Sequence, residues 1–305
     1  MFFFERFIML KIALPCGKSL EAGTLALFNQ ALITVERKGS SAHSVRFPNY
    51  ADLREGKFVK PRRAPALVES GAYDVAITGL DAVLESGSDV EVCAKLNYGR
   101  NSIGATRGVL FVSREDEVSS IVDIPKGSTI LSEYPNLTRS FLAKQGIEGL
   151  SVLESSGSVE AEVPDQYRFG VCLTETGRSL KENNLKEIAT LFTSSTVLIA
   201  NKKALKSSKK AEAIKSLKLI LLGTLEADEY KLLTMNVPVV ARERVIGLLP
   251  SMNAPTIAPL VGMSSFVSVS TVVKKDEVNT FIPKLLKLGA EGLLVTSISS
   301  LIRRW

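Results

Sequence analysis

The sequence predicts an α/β protein with a two-lobed core and a smaller C-terminal domain. Short, uninterrupted apolar runs alternate with helical patterns along most of the chain, which is typical of parallel or mixed sheets whose strands are buried on both faces. Residues 99–108 interrupt this alternation with glycines and polar residues, and a second strand-helix series follows. From about Glu226 the order becomes strand, helix, strand, helix, strand, which predicts a separate unit.

The first lobe begins with the apolar strand LKIALP at 10–15, a Pro-Cys-Gly-Lys-Ser turn, and a helix whose apolar residues recur at helical spacing over 20–32. The apolar strand STVLIANK at 195–202 is expected to return the chain to this lobe. Between them, we predict a helix near 64–71, a buried strand over 73–79 and a helix start at 80–84.

The second lobe begins with the strand GVLFVS at 108–113. A strand, a turn and a helix follow over 128–147, where Pro135 marks the start of the helix and Gly146 its end. Residues 171–185, VCLTETGRSLKENNL, add an apolar strand, a turn and a polar helix start.

The C-terminal part predicts a small split β-α-β sandwich of the ferredoxin-like or ACT-like kind. Strands are expected at 230–238, 265–273 and 292–298, helices at 241–252 and 276–289, and one more strand at 253–260. We expect lobe I to comprise residues 1–107 and 188–222, lobe II residues 108–187, and the ACT-like regulatory domain residues 223–305.

Composition limits the location of the protein. The 305 residues are 45% apolar, yet no uninterrupted apolar run reaches the roughly 18 residues of a membrane span. We expect residues 1–8 to be an extension rather than a secretory signal, because Glu5 and Arg6 interrupt the apolar start and no cleavage site follows. The widely spaced Cys16, Cys93 and Cys172 indicate a reducing cytoplasm, without disulfides or a zinc site.

Charge and histidine content limit the chemistry. The net charge of +6 comes from 38 basic and 32 acidic residues, and the basic residues form only short clusters at 60–63 and 202–210. We therefore expect small polyanions as ligands, and no nucleic acid. The cluster at 202–210 is most typical of a solvated helix start or linker. The single histidine, His43, lies in a polar stretch, so catalysis by a histidine base is nearly excluded.

The most informative local signal is the turn Thr-Glu-Thr-Gly-Arg-Ser at 174–179. Gly177 lets the backbone approach an anion, Arg178 offers a charged fork, and the following helical amides point to the same place. Glu175 is suited to a bound metal or a ribose hydroxyl. Further hydroxyls come from Thr174, Thr176 and Ser179. An ordinary capped strand-to-helix turn has the same composition, so the turn alone leaves both interpretations open.

Five further segments accompany this turn in order along the chain. They are YDVAITGLD at 73–81, SEYPNLTRSFLAKQGI at 132–147, SGSVEA at 156–161, and the C-terminal pair NAPTIAPL at 253–260 and LGAEGLLVTSI at 288–298. Together with Thr-Gly-x-Ser-Leu and its downstream Asn and Leu185, they resemble the long form of ATP phosphoribosyltransferase, the first enzyme of histidine biosynthesis. The resemblance extends from Leu10 to Ile302.

The resemblance implies a core like a periplasmic binding protein, with the active site in the cleft between its lobes. It implies that N1 of ATP attacks the anomeric carbon of phosphoribosyl pyrophosphate, that Mg²⁺ assists the departing pyrophosphate, and that histidine inhibits by binding the C-terminal domain. It also implies a homo-oligomer, between a dimer and a hexamer, and no membrane partner.

The resemblance also implies roles for individual residues. Catalytic cations would be Lys18, Arg100 and Arg178, with Lys60 as a further candidate. Phosphoribosyl pyrophosphate would meet Thr174, Glu175, Thr176, Gly177, Arg178 and Ser179, with Glu175 also holding the metal. ATP would meet Asp81, Tyr134, Gly157, Ser158 and Glu160, although Asp81 also suits a helix cap and Tyr134 a helix-start aromatic. Histidine would lie near Thr256, Gly289 and Ala290.

Four positions depart from the pattern of the family, namely Cys16, Arg63, Ser102 and Cys172. Cys172 stands where the family places an aspartate at the strand end, and Arg100 and Arg107 are close enough in sequence to replace the arginine missing at Ser102. Three alternatives therefore stay open: a catalytically weakened regulatory paralogue, a small-molecule binding protein of the periplasmic type, and a phosphoribosyltransferase that acts on another base.

Overall fold

The computed structural model describes residues 10–39, 43–98, 106–155, 157–250 and 254–303. It divides into two compact units, of which the larger comprises Met1–Leu25 with Val35–Lys215 and the smaller Ala26–Thr34 with Ser216–Trp305. The larger unit contains two sheets and the smaller unit contains one. Among the helices in the described ranges, none combines the length and apolarity needed to cross a membrane.

The elements alternate along the chain as the sequence predicts. Strands β1 to β6 are Leu10–Pro15, Glu36–Arg37, Ser44–Arg46, Leu53–Val59, Val75–Gly79 and Val90–Lys95, and helices α1 to α3 are Lys18–Gln30, Ala64–Glu69 and Leu80–Ser86. Strands β7 to β12 are Thr106–Ser113, Thr129–Ser132, Ser151–Glu154, Phe169–Thr174, Leu185–Ser194 and Thr196–Asn201, and helices α4 to α6 are Pro135–Lys144, Val159–Glu162 and Arg178–Glu182. The remaining elements are α7 (Lys202–Leu205), α8 (Ser208–Ala227), β13 (Tyr230–Pro238), α9 (Arg242–Leu248), β14 (Thr256–Pro259), β15 (Phe266–Lys274), α10 (Val278–Lys287) and β16 (Glu291–Ser297).

The first lobe is a seven-stranded sheet in the order β2-β3-β4-β1-β5-β12-β6. Its central strand β1 runs parallel to β4 and β5, while β12 runs antiparallel to β5 and β6. Strands β1, β5 and β12 are buried on both faces, which explains their continuous apolar sequences. On one face, Ala13, Ala76 and Val197 pack against Ala64 and Val68 of α2.

The second lobe is a five-stranded sheet in the order β11-β7-β10-β8-β9. Strands β8, β9 and β10 are parallel, and β7 runs antiparallel to β10 and β11. Alternate residues of β7 serve two separate cores, with Val109 and Phe111 on one face and Leu110 and Val112 on the other. The mixed α/β fold class is confirmed.

Strand β11 is the longest strand that the sequence patterns did not predict. It follows α6 directly and pairs with β7, so residues 188–194 lie in the second sheet rather than in lobe I, where we expected them. Its burial is incomplete, and Lys186 and Glu187 interrupt its apolar residues. A strand with one partly solvated face lacks the continuous apolar run that marks its neighbours.

The smaller unit contains an antiparallel sheet in the order β14-β15-β13-β16. With α9 between β13 and β14 and α10 between β15 and β16, this is the predicted ferredoxin-like arrangement. Its core joins Leu233, Met235 and Val269 of the strands to Val245 of α9 and Leu285 of α10.

An ion pair in the second lobe predicts acid sensitivity. The Asp116 carboxylate accepts hydrogen bonds from Arg168 at 2.7 and 2.9 Å and from the Val118 amide at 2.8 Å. The Arg168 hydrogen bonds lower the pKa of Asp116 to about 2 against the opposing effect of burial. Because the folded pKa lies below the unfolded value of about 3.9, this stabilisation is present above that value and is lost as the pH falls through about 2.

We expect Asp116→Asn to lower the free energy of unfolding by about 1 kcal/mol at neutral pH, since Arg168 is half-exposed and partly screened. The difference from wild type should vanish near the folded pKa of about 2. Urea unfolding across this pH range measures it, with the exposed Asp165→Asn as the control. An equal loss at acid and neutral pH would show that the effect is packing rather than charge.

Candidate functional site

Three turns meet at the carboxyl edge of the second sheet. The parallel neighbours β10, β8 and β9 end at Thr174, Ser132 and Glu154. The segments that follow these strands contain the 174–179 loop, Tyr134 and, in α5, Glu160. Because ligands in open α/β sheets collect at the carboxyl ends of parallel strands, this edge is the candidate site.

The 174–179 loop is open to solvent at its tip and fixed at its base. The buried Thr174 hydroxyl accepts a hydrogen bond from the Gly177 amide at 2.9 Å, and Gly177 has a left-handed backbone with φ of +70°. The side chains of Glu175, Thr176 and Arg178 are exposed. Arg178 begins α6, and its Nε donates to Glu182 Oε1 at 2.6 Å. The loop therefore presents a cation and hydroxyls to solvent from a rigid base.

Cys172 lies beneath this loop, where it is 2% exposed and packs with Val159 and Leu180. Burial, and then the charges of Glu160 and Glu133, raise the pKa of the Cys172 thiol, which also forms a side-chain hydrogen bond with Glu160. The thiol is therefore protonated and unreactive at neutral pH. Although the end of β10 itself lacks a carboxylate, the carboxylates of Glu160 and Glu133 lie close to Cys172.

Arg62 joins the two lobes of the larger unit. It lies in a short 3-10 helix, Pro61–Arg63, that follows β4. Its guanidinium carbon is 4.6 Å from the centroid of the Tyr134 ring, and Nη2 donates to Glu133 Oε2 at 3.0 Å. Burial alone would lower the pKa of Arg62, but the hydrogen bond with Tyr134 and the nearby carboxylates outweigh it and raise that pKa.

Asp81 and Tyr134, both predicted to contact ATP, contact one another across the lobes. The Asp81 carboxylate accepts a hydrogen bond from the Ser194 hydroxyl. The backbone amide of Asp81 in turn donates to Ser194 Oγ at 3.0 Å. Burial, and then the charge of Asp81, raise the pKa of the Tyr134 phenol, which also hydrogen-bonds with Asp81 and Arg62. Asp81 is 8% exposed and Tyr134 4%, so both are largely enclosed in this structure.

The same region carries an excess of negative charge. Burial raises the pKa of Glu133, Arg62 opposes that shift, and the charges of Glu160 and Asp81 add to it. A wall of three carboxylates suits hydroxyl or amine ligands better than phosphates. Phosphate groups would therefore contact the Arg178 side of the loop rather than this wall.

The structure places the other predicted residues of the core as follows. Lys18 is the first residue of α1, Lys60 is exposed at the end of β4, and Gly157 and Ser158 are exposed between β9 and α5. Arg107, the suggested replacement at Ser102, donates to Glu187 at 2.6 Å and to Thr190 at 3.0 Å, which holds it against β11. Arg100 and Ser102 lie outside the described residues.

The predicted histidine-binding residues lie apart within the smaller unit. Thr256 begins β14 at one edge of the sheet, whereas Gly289 and Ala290 precede β16 at the opposite edge. Strands β15 and β13 lie between them, so a single sheet does not bring the three residues together.

Comparison with known proteins gives a consistent result over nearly the whole chain. Residues 60–221 match the ATP phosphoribosyltransferase family, and residues 227–300 match the family described as HisG, C-terminal domain. The ATP phosphoribosyltransferase of Pelodictyon phaeoclathratiforme is 35% identical over 295 residues, which cover 96% of this chain and 98% of that protein. The one from Geotalea uraniireducens is 36% identical over 301 residues, covering 96% and 99%.

A solved structure is also similar to this chain. It is the ATP phosphoribosyl transferase (HisG:HisZ) complex from Thermotoga maritima, which matches with a TM-score of 0.59 and 25% identity over 72% of this chain and 99% of that chain. Two family matches in sequence order, relatives aligned from end to end and a similar structure lead to one conclusion. The chain belongs to the ATP phosphoribosyltransferase family.

Proposed function

We propose that the chain transfers the phosphoribosyl group of phosphoribosyl pyrophosphate to N1 of ATP, which yields phosphoribosyl-ATP and pyrophosphate in histidine biosynthesis. The observation that carries this proposal is the end-to-end match with ATP phosphoribosyltransferases, which includes the loop at the carboxyl edge of β10. In this reaction the bond from N1 to the anomeric carbon forms as the bond to the pyrophosphate oxygen breaks. The leaving pyrophosphate keeps the electron pair of the broken bond.

Residues 174–179 are proposed to bind the 5-phosphate and ribose of phosphoribosyl pyrophosphate. The exposed guanidinium of Arg178 and the exposed hydroxyl of Thr176 support this, because charged forks and hydroxyls are effective phosphate donors. Lys18, Arg100 and Lys60 are the further cations that would stabilise the charge developing on pyrophosphate. The chemistry needs alignment and charge stabilisation more than a histidine base.

ATP is proposed to bind in the cleft that Asp81, Tyr134, Gly157 and Ser158 border. The exposure of Gly157 and Ser158 supports this position, since both follow the carboxyl end of β9. The enclosed contact between Asp81 and Tyr134 would then either open when the nucleotide binds or stay closed and hold the two lobes together.

Mg²⁺ is proposed to arrive with the polyphosphate substrates. Within the described residues there is no group of three or more histidine, cysteine or acidic side chains placed to hold a metal. Magnesium bound with substrate phosphates needs only one or two carboxylates, and the exposed Glu175 fits that requirement. When bound, the ion would neutralise charge on the leaving pyrophosphate, while Glu175 would orient it.

Inhibition by histidine, a homo-oligomer and a cytoplasmic location complete the proposal. The ferredoxin-like unit with Thr256, Gly289 and Ala290 is the proposed histidine-binding part. Exposed apolar side chains on its edge strand β16, Leu294 and Val295, support assembly with further copies. A weakened regulatory paralogue is the second candidate, because the buried Cys172 thiol supplies no carboxylate at the strand end.

Arg178 gives a direct test of the phosphate loop. We expect Arg178→Ala to raise KM for phosphoribosyl pyrophosphate about tenfold, since a charge-assisted contact is worth about 1.5 kcal/mol or more. The free energy of unfolding should stay close to that of wild type, because Arg178 is exposed and pairs only at the surface with Glu182. Steady-state kinetics and urea unfolding measure both quantities.

The exposed Lys181→Ala, on the same short helix, is the matched control. It should leave KM for phosphoribosyl pyrophosphate within about twofold of wild type, because a remote, screened charge contributes little. If Arg178→Ala behaves like Lys181→Ala, the assignment of this loop to the phosphate is wrong.

A further inference from the structure

We propose that Glu85 is a positioning residue for the binding of ATP, because it caps helix α4 from the opposite lobe and so holds Tyr134 beside Asp81. This inference rests on the proposed function, in which Asp81 and Tyr134 border the nucleotide. It adds a residue that acts through the backbone of the second lobe rather than by contact with a substrate.

Helix α4 has no cap from its own segment. Its N-cap residue is Tyr134, whose side chain makes no capping hydrogen bond. Since Pro135 has no amide hydrogen, the free donors of the first turn are the amides of Asn136 and Leu137. Glu85 accepts from both, with Oε1 at 2.9 Å from the Asn136 nitrogen and Oε2 at 2.9 Å from the Leu137 nitrogen. The cap therefore comes from the end of α3, in the first lobe.

The contact between the two helix ends is reciprocal. The side-chain amide of Asn136 donates to the backbone carbonyl of Glu85 at 3.0 Å, and this carbonyl belongs to the last turn of α3. Arg139 orients the same side chain by donating to Asn136 Oδ1 at 3.2 Å. Each helix end thus supplies partners that the other end lacks within its own helix. We call the three hydrogen bonds between Glu85 and α4 the Glu85 clasp.

Asp81 and Glu85 lie one turn apart on α3, and both carboxylates contact the second lobe. Asp81 hydrogen-bonds with the Tyr134 hydroxyl, and Glu85 accepts from two backbone amides just beyond Tyr134. Like charges at this spacing repel one another in an isolated helix. In this protein each carboxylate has donors from the start of α4, so α3 holds both the Tyr134 side chain and the backbone next to it.

The clasp adds what the local bonds of the second lobe do not supply. Ser132 Oγ accepts from the Tyr134 amide at 2.9 Å, and Thr138 Oγ1 donates to the Tyr134 carbonyl at 2.8 Å. These bonds fix Tyr134 within its own lobe, whereas contacts with the first lobe fix it relative to Asp81. Because Glu85 binds backbone amides, the clasp can persist when the contact between Tyr134 and Asp81 opens for a nucleotide.

The Glu85 carboxylate also occupies the position that an anion would take at this helix start. A helix N-terminus readily binds anions through its free amides. In α4 those amides already have a half-buried carboxylate as their acceptor. A substrate phosphate would have to displace Glu85, so we expect phosphates to bind elsewhere and the start of α4 to align the lobes.

Hydrogen exchange of the free protein tests the clasp itself. We expect Glu85→Ala to speed exchange of the Asn136 and Leu137 amides about tenfold or more, because a hydrogen bond to a charged group contributes that factor. The Val118 amide, which donates to Asp116 within the second lobe, should keep its wild-type rate. Unchanged exchange at Asn136 and Leu137 would overturn the proposal, as would equally faster exchange at Val118.

Titration calorimetry with ATP tests the consequence for the substrate without turnover. We expect Glu85→Ala to raise the dissociation constant of ATP about fivefold, the factor that corresponds to losing a side-chain helix cap. Glu85→Gln keeps the shape of the side chain and one acceptor oxygen. It should fall between wild type and Glu85→Ala, and it carries both tests if Glu85→Ala does not fold.

Glu69→Ala is the matched control. Glu69 is an exposed carboxylate that accepts from the Asp89 amide at 3.0 Å, entirely within the first lobe. Its replacement should leave the dissociation constant of ATP within about twofold of wild type, because it removes a surface contact that does not reach α4. Equal weakening of ATP by Glu69→Ala and Glu85→Ala would contradict the role of the clasp.

Steady-state kinetics separate positioning from a merely structural role. In an active enzyme, Glu85→Ala should raise KM for ATP about fivefold and leave KM for phosphoribosyl pyrophosphate within about twofold. Equal rises in both constants would show general loosening of the core and overturn the proposal. A wild-type protein that binds ATP but forms no product overturns the proposed function instead, while hydrogen exchange and calorimetry still decide the role of Glu85.

Discussion

Replacing Gly177 by valine is expected to lower kcat/KM for phosphoribosyl pyrophosphate by about 100-fold, because small displacements of a substrate-positioning group have effects of that size. Gly177 adopts φ of +70°, a conformation that a β-branched residue avoids. No atom lies within 4 Å of the position that a Cβ would take, so the substitution changes the backbone of the loop without a clash in the core. Steady-state kinetics with varied phosphoribosyl pyrophosphate measure the loss.

Gly146 provides a matched control in the same lobe. It follows the end of α4 with φ of +67°, and a Cβ at this position would also have no atom within 4 Å. Both valine variants should lose about 1–3 kcal/mol of stability through backbone strain. Only Gly177→Val should lose kcat/KM beyond about threefold. Equal kinetic losses in the two variants would show that the 174–179 loop has no special role in binding.

Tyr134→Ala is expected to have the largest effect on stability, with a loss of about 3–5 kcal/mol in the free energy of unfolding. The Tyr134 ring packs edge-on against Phe192 at 5.3 Å between centroids, and Arg62 lies over its face at 4.6 Å. Its hydroxyl hydrogen-bonds with Asp81. The substitution leaves a cavity between the lobes and leaves the Asp81 carboxylate without one of its donors. Urea unfolding followed by circular dichroism measures the loss.

Tyr134→Phe separates the ring from the hydroxyl. It keeps the ring contacts with Arg62 and Phe192 and removes the hydrogen bonds of the hydroxyl with Asp81 and Arg62, so we expect a loss of about 1–2 kcal/mol. If Tyr134→Ala and Tyr134→Phe lowered the free energy of unfolding equally, the packing of the ring would contribute nothing. The description of the contact between the lobes would then be wrong. A rise in KM for ATP in Tyr134→Phe would support the additional role in nucleotide binding.

Local sequence predicted those parts of the structure whose causes are local. Strands β1, β5 and β10 are visible as apolar runs because both of their faces are buried. The 174–179 loop is visible because its glycine, hydroxyls and arginine are consecutive residues. The ferredoxin-like order of the C-terminal strands and helices follows from alternating patterns in the same way.

Features that arise only on folding were not visible. Arg62 was noticed as part of a basic cluster, but its partner Glu133 is 71 residues away in sequence. The approach of Glu160 to Ser179 and Cys172 depends on the parallel order β10-β8-β9, which brings three separate turns to one edge. Strand β11 was missed because polar residues interrupt it, although its pairing with β7 is extensive. Tertiary neighbours, rather than spacing, determine these contacts.

The most direct test of the central claim is an assay of the purified full chain with ATP, phosphoribosyl pyrophosphate and Mg²⁺. The absorbance of phosphoribosyl-ATP and the release of pyrophosphate would be followed together, with and without histidine. We expect both products to form in equal amounts, only when both substrates are present, and more slowly when histidine is added. Absence of product at high enzyme concentration, from a folded protein that still binds histidine, would contradict the account and identify the chain as a regulatory paralogue.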